Sequence, residues 1–223
     1  MNREPPLEVK VWGEWACFTR PENKVERVSY PVMTPSAARG ILEAIFWKPE
    51  FFWQVQEIWV LKPITSFSIL RNEINNRQSH RTALGWSKSG GGYFANDDRA
   101  QRHTLALRDV AYLIKAEIAL KPHTIDPAMK YREQFRRRVS KGQCYHHPYF
   151  GCREFAAEFS APVGSERPID QSVDLGLILF DMRFAHNGDG KGVKAEPIFF
   201  GARLESGILH VPQNLYEEVN ACC

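Results

Sequence analysis

The order of hydrophobic periods along this chain predicts an α+β protein. It begins with a ferredoxin-like domain, an antiparallel sheet carrying two helices, and continues into a small C-terminal antiparallel β-sheet domain. Three observations carry this expectation. Segments with period-two alternation recur, as half-buried strands require. Two segments have helix start and stop signals. The first six elements run strand, helix, strand, strand, helix, strand, the order of a split βαβ arrangement. The stretch Ala161–Pro168 (APVGSERP) reads as a linker, which divides the chain into residues 1–165 and 166–223.

Leu7, Val9 and Val11 alternate with Glu8 and Lys10, giving a first strand with one buried face. Trp15–Tyr30 mixes cations with aromatics without a clean period and reads as a loop with partial strand character. Thr34-Pro35 supplies a hydroxyl N-cap followed by proline at the first helical position. Ala38, Ile41, Leu42 and Ile45 then fall at helical spacing to about Phe46, and Pro49 ends the helix. Val55–Ile64 reads as a second strand. Residues 65–103 are polar and weakly periodic, with Gly90-Gly91-Gly92 among them, and read as a long functional loop with room for a hairpin.

Leu107–Leu120 has the clearest strand signal, with Val110, Tyr112, Ile114, Ala116, Ile118 and Leu120 on one face. Pro127 opens a second helix whose few apolar residues, Met129, Phe135 and Val139, leave its other sides basic; Gly142 stops it. Gly151–Ser160 reads as a further strand. Leu175–Phe184, a turn at Asn187–Gly192, Pro197–Leu204 and Ile208–Val211 make up the C-terminal sheet.

With 223 residues, 43% hydrophobic and 25% charged, the chain has the composition of a globular protein, and its net charge of +3 excludes a general polycation. No apolar run approaches the ~20 residues of a membrane helix. The N-terminus MNREPPLEVK lacks the basic and apolar regions of a signal peptide, so the expected location is cytoplasmic. Five scattered cysteines without a CxxC pair read as reduced thiols, and Cys144, His146, His147 and Cys152 match no common zinc spacing. There is no P-loop, GxGxxG, GxSxG or HExxH, and no carboxylate cluster for a two-metal site. No cofactor and no metal are expected.

Charge is concentrated instead. Lys130–Lys141 holds Lys130, Arg132, Arg136, Arg137, Arg138 and Lys141 against the single acid Glu133. Such a cluster repels itself unless solvent or a polyanion neutralises it, and the aromatics that follow suit RNA. Arg20, Lys24, Arg27, Lys48 and Arg102 are further candidate phosphate contacts, with Arg136, Arg137, Arg138 and Lys141 at the centre. A run of three arginines on a helix cannot aim every guanidinium at one ligand, so one of them is expected to support structure. Neither helix follows another through a short turn, which disfavours a helix-turn-helix DNA reader. RNA can be cut without metal because its 2′-hydroxyl attacks the adjacent phosphate, given groups that take up a proton, donate one and offset phosphorane charge. Lys130 and Tyr131, with His146 and His147 as possible acid or base, have the composition of such a site.

The stretches WACFTRPENKVERVSYPVMTPSAARGILEAIFWKP, RHTLALRDVAYLIKAEI and FRRRVSKGQCYHHPYFGCREFAAEF resemble the Cas5 proteins of type I-C CRISPR systems, the Cas5d subfamily. The resemblance spans most of residues 7–160 and is less distinct after Asp174. It implies a ferredoxin-like RAMP domain followed by a small β-sheet domain. It further implies a metal-independent endoribonuclease that cuts CRISPR repeat RNA, keeps the crRNA 5′ handle and joins Cas7- and Cas8-type subunits. A non-catalytic subunit that only binds the handle is the alternative. Where the family often carries tyrosine before Trp-Lys-Pro, this chain has Phe46, which cannot exchange a proton. A Lys-His pair of the family falls on Lys130-Tyr131, keeping the lysine and replacing the histidine.

Overall fold

A computed structural model of the chain describes residues 4–23, 25–76, 78–186 and 193–220. Among the described residues it is a mixed α/β protein, with nine strands joined in one largely antiparallel sheet and four helices. The strand β5 (Arg99–Leu120) is the spine. Its second half pairs antiparallel with β1 (Leu7–Ala16) on one side and β3 (Phe51–Val60) on the other. Its first half pairs antiparallel with β4 (Ser66–Ile74), while the two-residue β2 (Arg27–Val28) lies parallel to it. Asp109, at φ 53°, marks the junction between the halves. Val110 to Leu113 are buried in succession, and the residues before Thr104 alternate in and out of solvent. The spine is therefore core at one end and exposed arm at the other.

The first strand has the expected burial, with Leu7, Val9 and Val11 inside. The first helix, α1 (Pro35–Ile45), begins as its sequence dictates: Thr34 Oγ1 accepts from the Ala37 N–H at 3.2 Å, and Pro35 needs no partner for a missing N–H. Residues 65–103 form a hairpin arm rather than a loop. It consists of β4, the helix α2 (His80–Ser89) capped by Ser79, and the start of β5. Its alternating faces are both solvated, so the burial period that marks strands elsewhere is weak here. β3 starts at Phe51, four residues before the expected Val55, because an aromatic run hides its period. The helix α3 (Ala128–Ser140) ends in a Schellman turn. Gln143 N–H donates to Arg138 O at 2.9 Å and Gly142 N–H to Val139 O at 3.3 Å, which requires the left-handed φ of 62° at Gly142.

The strand expected over Gly151–Ser160 shortens to β6 (Glu158–Ser160), which pairs with β1. Its first half is a tight turn in which Phe150 and Phe155 are bonded N–H to O at 2.8 Å. A Cβ on Gly151 would lie 2.0 Å from the Cys17 carbonyl oxygen, so only glycine lets this turn lie on the end of β1.

Beyond the expected linker, β7 (Val173–His186), β8 (Val193–Glu205) and β9 (Ile208–His210) form the antiparallel strands read from the sequence. The expected turn at Asn187–Gly192 lies outside the described residues. β9 pairs with β3, so these strands continue the sheet, and Ile178 and Phe180 join the same buried cluster as Val9 and Ile41. A short helix, α4 (Leu215–Asn220), closes the bulge between Val55 and Glu57 in β3. Val55 N–H donates to the Tyr216 hydroxyl at 2.7 Å. The Arg39 guanidinium ties α1 to β7 through a fork onto buried Asp181, at 2.6 and 2.7 Å.

Candidate functional site

Three successive carbonyls at the end of α1 show why the candidate residues gather there. Such groups have no partner inside the helix. Ala44 O accepts from Tyr145 N–H at 2.8 Å, Ile45 O from Arg138 Nη1 at 2.8 Å, and Phe46 O from Trp53 Nε1 at 2.9 Å. The turn after α3, the last turns of α3 itself and β3 are thereby fastened to one helix end. Arg138 also lies 5.3 Å over the Phe46 ring and places its cation at the negative pole of α1. It is the arginine of the run that supports structure.

Phe46 is 1% exposed and its ring sits 5.6 Å from that of Phe51. Phe51 in turn lies 5.4 Å from Tyr131, which is 3% exposed. The positions 46 and 131 are thus joined through one ring, as a common site demands, but both present hydrocarbon packing. Burial and the nearby Glu50 and Asp126 carboxylates push the Tyr131 phenol above its ordinary range, so it keeps its proton at neutral pH. Lys130, one residue earlier, is exposed. Its Nζ donates to Asp126 Oδ2 at 2.7 Å, and that hydrogen bond raises its pKa. The Tyr131 hydroxyl reaches the same oxygen at 3.5 Å.

Asp126 and Glu50 are the residues that sequence reasoning missed. The acid four positions before Lys130 was legible as an i,i+4 pair. Glu50 was not, because only the fold brings its carboxylate, whose Oε2 is buried without a hydrogen-bond partner, beside Lys130 and Tyr131. His146 and His147 are exposed and follow the opposite end of α3. Arg138, at their level, is eight residues from Lys130, about 12 Å along the helix axis.

The candidate phosphate contacts differ in what they already hold. Arg137, Lys141 and Lys48 are exposed, with no ionic partner among the described residues, and Arg136 pairs with Glu133 at 2.5 Å. Arg132 is buried against Glu4 at 2.8 Å. Arg20 stacks 4.6 Å over Tyr30 and pairs loosely with Glu22. Arg102 belongs to the arm and Arg27 to β2 beside it; Glu73 approaches them at 3.8 and 3.3 Å, and Glu154 approaches Arg27 and Arg71. Lys24 lies outside the described residues. Cys17 and Cys152 are buried thiols, and Arg27 donates to Cys152 Sγ at 3.6 Å. Among the described residues no helix is long and apolar enough to cross a membrane.

Comparison with known proteins places this geometry. A model of the Cas5d family, described as CRISPR-associated protein (Cas_Cas5), matches residues 6–212. A Thermus thermophilus protein named CRISPR pre-crRNA endoribonuclease Cas5d is 50% identical over 226 residues, covering 96% of this chain and 94% of the relative. A Mannheimia succiniciproducens protein of the same name is 42% identical over 226 residues, covering 96% and 97%. A crystal structure described as that of a CRISPR-associated protein shares the fold, with a TM-score of 0.66 at 22% identity over 96% of this chain and 95% of that one.

Proposed function

Because this chain belongs to the Cas5d family of CRISPR-associated proteins, we propose that it is an endoribonuclease that cuts CRISPR precursor RNA within the repeat. It then keeps the 5′ handle as a subunit of the type I-C interference complex, beside Cas7- and Cas8-type partners. Identity of 50% over 96% of this chain to a protein named as a pre-crRNA endoribonuclease carries this reading. The arrangement of β6, β1, β5 and β3 with α1 and α3 supports a ferredoxin-like RAMP domain over residues 1–165. Residues 166–223, with β7, β8 and β9, are in this reading the small C-terminal β-sheet domain, whose Ile178 and Phe180 pack into the same buried cluster.

The reaction needs no metal in this reading. The 2′-oxygen forms a bond to the adjacent phosphorus, the bond from phosphorus to the 5′-oxygen breaks, and the products are a 2′,3′-cyclic phosphate and a 5′-hydroxyl. Lys130, with its pKa raised by Asp126, stays protonated at neutral pH and offsets charge on the phosphorane or protonates the departing oxygen. Asp126, touching both Lys130 and Tyr131, is placed to take the 2′-hydroxyl proton, and Tyr131 holds the pair against the Phe51 ring. His146 and His147 then serve the bound strand farther along α3. Arg136, Arg137, Lys141 and Lys48 follow its phosphates.

The buried phenylalanine at position 46 favours a second reading, a subunit that binds the handle without cutting. Incubating the protein with its cognate repeat RNA in EDTA decides between them. Cleavage to a cyclic-phosphate product supports the enzyme. Tight binding without cleavage supports the second reading, and cleavage only after Mg²⁺ is restored overturns the metal-free mechanism.

A further inference from the structure

Directly beyond Phe46 the surface opens into a cleft of about 160 Å³ walled by rings. Trp47, Phe52 and Phe184 line it, with Trp53, Phe51 and Tyr216 behind them. Trp47 is 54% and Phe184 53% exposed, and among the described residues neither ring, nor that of Phe52, pairs with another aromatic. Two large apolar side chains left open to water on opposite elements, α1's end and β7, are costly unless something covers them. An engineered cavity of about 150 Å³ in another protein accepts benzene, so a cleft of this size suits one aromatic ring.

The polar groups of the cleft indicate which ring. Lys121 Nζ lies 4.3 Å over the Phe52 ring, offering a cation at the mouth. On the other wall, Arg39 fixes Glu43 through a 2.7 Å bond to Oε1, and Oε2 has no partner among the described residues. Arg39 is itself immobilised by Asp181, so the Glu43 carboxylate is held rather than free to swing. A fixed carboxylate oxygen beside flat apolar walls accepts N–H donors from the edge of a stacked base, whereas an apolar peptide side chain or a lipid tail has no use for it.

We propose that this cleft is a nucleobase pocket. It takes one unstacked base of the repeat RNA, sandwiched by Trp47 and Phe184 and read on its Watson–Crick edge by Glu43. Guanine, with two adjacent N–H donors, fits that acceptor best. Lys121, and Lys48 immediately after Trp47, meet the flanking phosphates. The pocket shares the end of α1 with Phe46, so a base held there fixes the strand's register against Lys130. The proposal rests on the RNA-cutting reading of this face and adds a determinant of where the strand lies.

The test is a scan of the repeat RNA in which each nucleotide in turn is made abasic, measured by binding to wild type, Trp47→Ala and Trp47→Phe. Trp47 is exposed, so its replacement leaves the core intact, which a melting curve verifies. Wild type should lose about tenfold in affinity at one position, the scale of a single base–aromatic stack. Trp47→Ala should show that loss already on intact RNA, with no further loss at the same abasic position, and Trp47→Phe should recover most of it. Glu43→Gln should flatten the preference among bases at that position. Equal affinity of wild type and Trp47→Ala for intact RNA, or losses that simply add, would overturn the pocket. Failure of wild type to bind repeat RNA at all would instead overturn the reading on which the pocket rests.

Discussion

Two groups of cations on this molecule look alike in sequence and differ completely in what surrounds them. Around the arm, Arg27 of β2 and the arm's own Arg71 and Arg102 converge on Glu73 and Glu154, so the fold pairs them before any ligand arrives. At the end of α3 and α1, Arg137, Lys141 and Lys48 are exposed with no ionic partner among the described residues. A polyanion gains most from the second group, because the first must surrender existing ion pairs. A surface ready for a polyanion is therefore marked by which cations lack acids in space, not by how many occur in a stretch.

The largest effect expected from this contrast is on stability, where a cation is locked most tightly. Asp181→Ala leaves the Arg39 guanidinium without its fork and empties a buried site, which should cost about 3 kcal/mol in urea unfolding. A loss under about 1 kcal/mol would mean that water replaces the carboxylate. On the free side, Lys48→Ala, Arg137→Ala and Lys141→Ala together should leave stability within about 0.5 kcal/mol. They should make the slope of log affinity against log salt shallower by about 2, at about 0.7 per phosphate on single strands. An unchanged slope would remove these residues from the RNA path.

The smallest effect belongs to Glu154, in the turn that meets Arg27 and the arm's Arg71. Partial burial pushes the Glu154 carboxyl up, but its backbone hydrogen bond and the Arg71 and Arg27 guanidinium groups outweigh it and hold the pKa below the usual range. Its contribution to stability is therefore present above the ordinary carboxylate pKa and lost as pH falls through the lowered one. Glu154→Gln should cost less than about 1 kcal/mol at pH 7, as exposed pairs do, and the gap to wild type should close on acidification. A gap that widened in acid would reverse the assigned sign.

Much of this was legible in the residues. The Thr34-Pro35 cap, the alternation in Leu7–Val11 and the glycine stop at Gly142 are local signals, and each produced the element it announced. The arm was not legible as strands, because β4 and early β5 bury neither face and carry no apolar period. At the site, Lys130 and the cation run were read from the chain, and Asp126 was within reach of helical spacing. Glu50, the carbonyl that occupies Arg138, and the pairing of Glu43 with an aromatic cleft arise from contacts between distant segments. No local pattern carries those.

In the proposed function, cutting and holding are divided along α3, with Lys130 at its start doing the first and the free cations at its end the second. Single-turnover cleavage and equilibrium binding of the repeat RNA by Lys130→Ala, measured side by side, test it most directly. Removal of a group that stabilises transition-state charge should slow cleavage about 10²-fold or more. The dissociation constant should move by less than about tenfold, because one ammonium among several contributes little to binding. Undiminished cleavage by Lys130→Ala would contradict the claim.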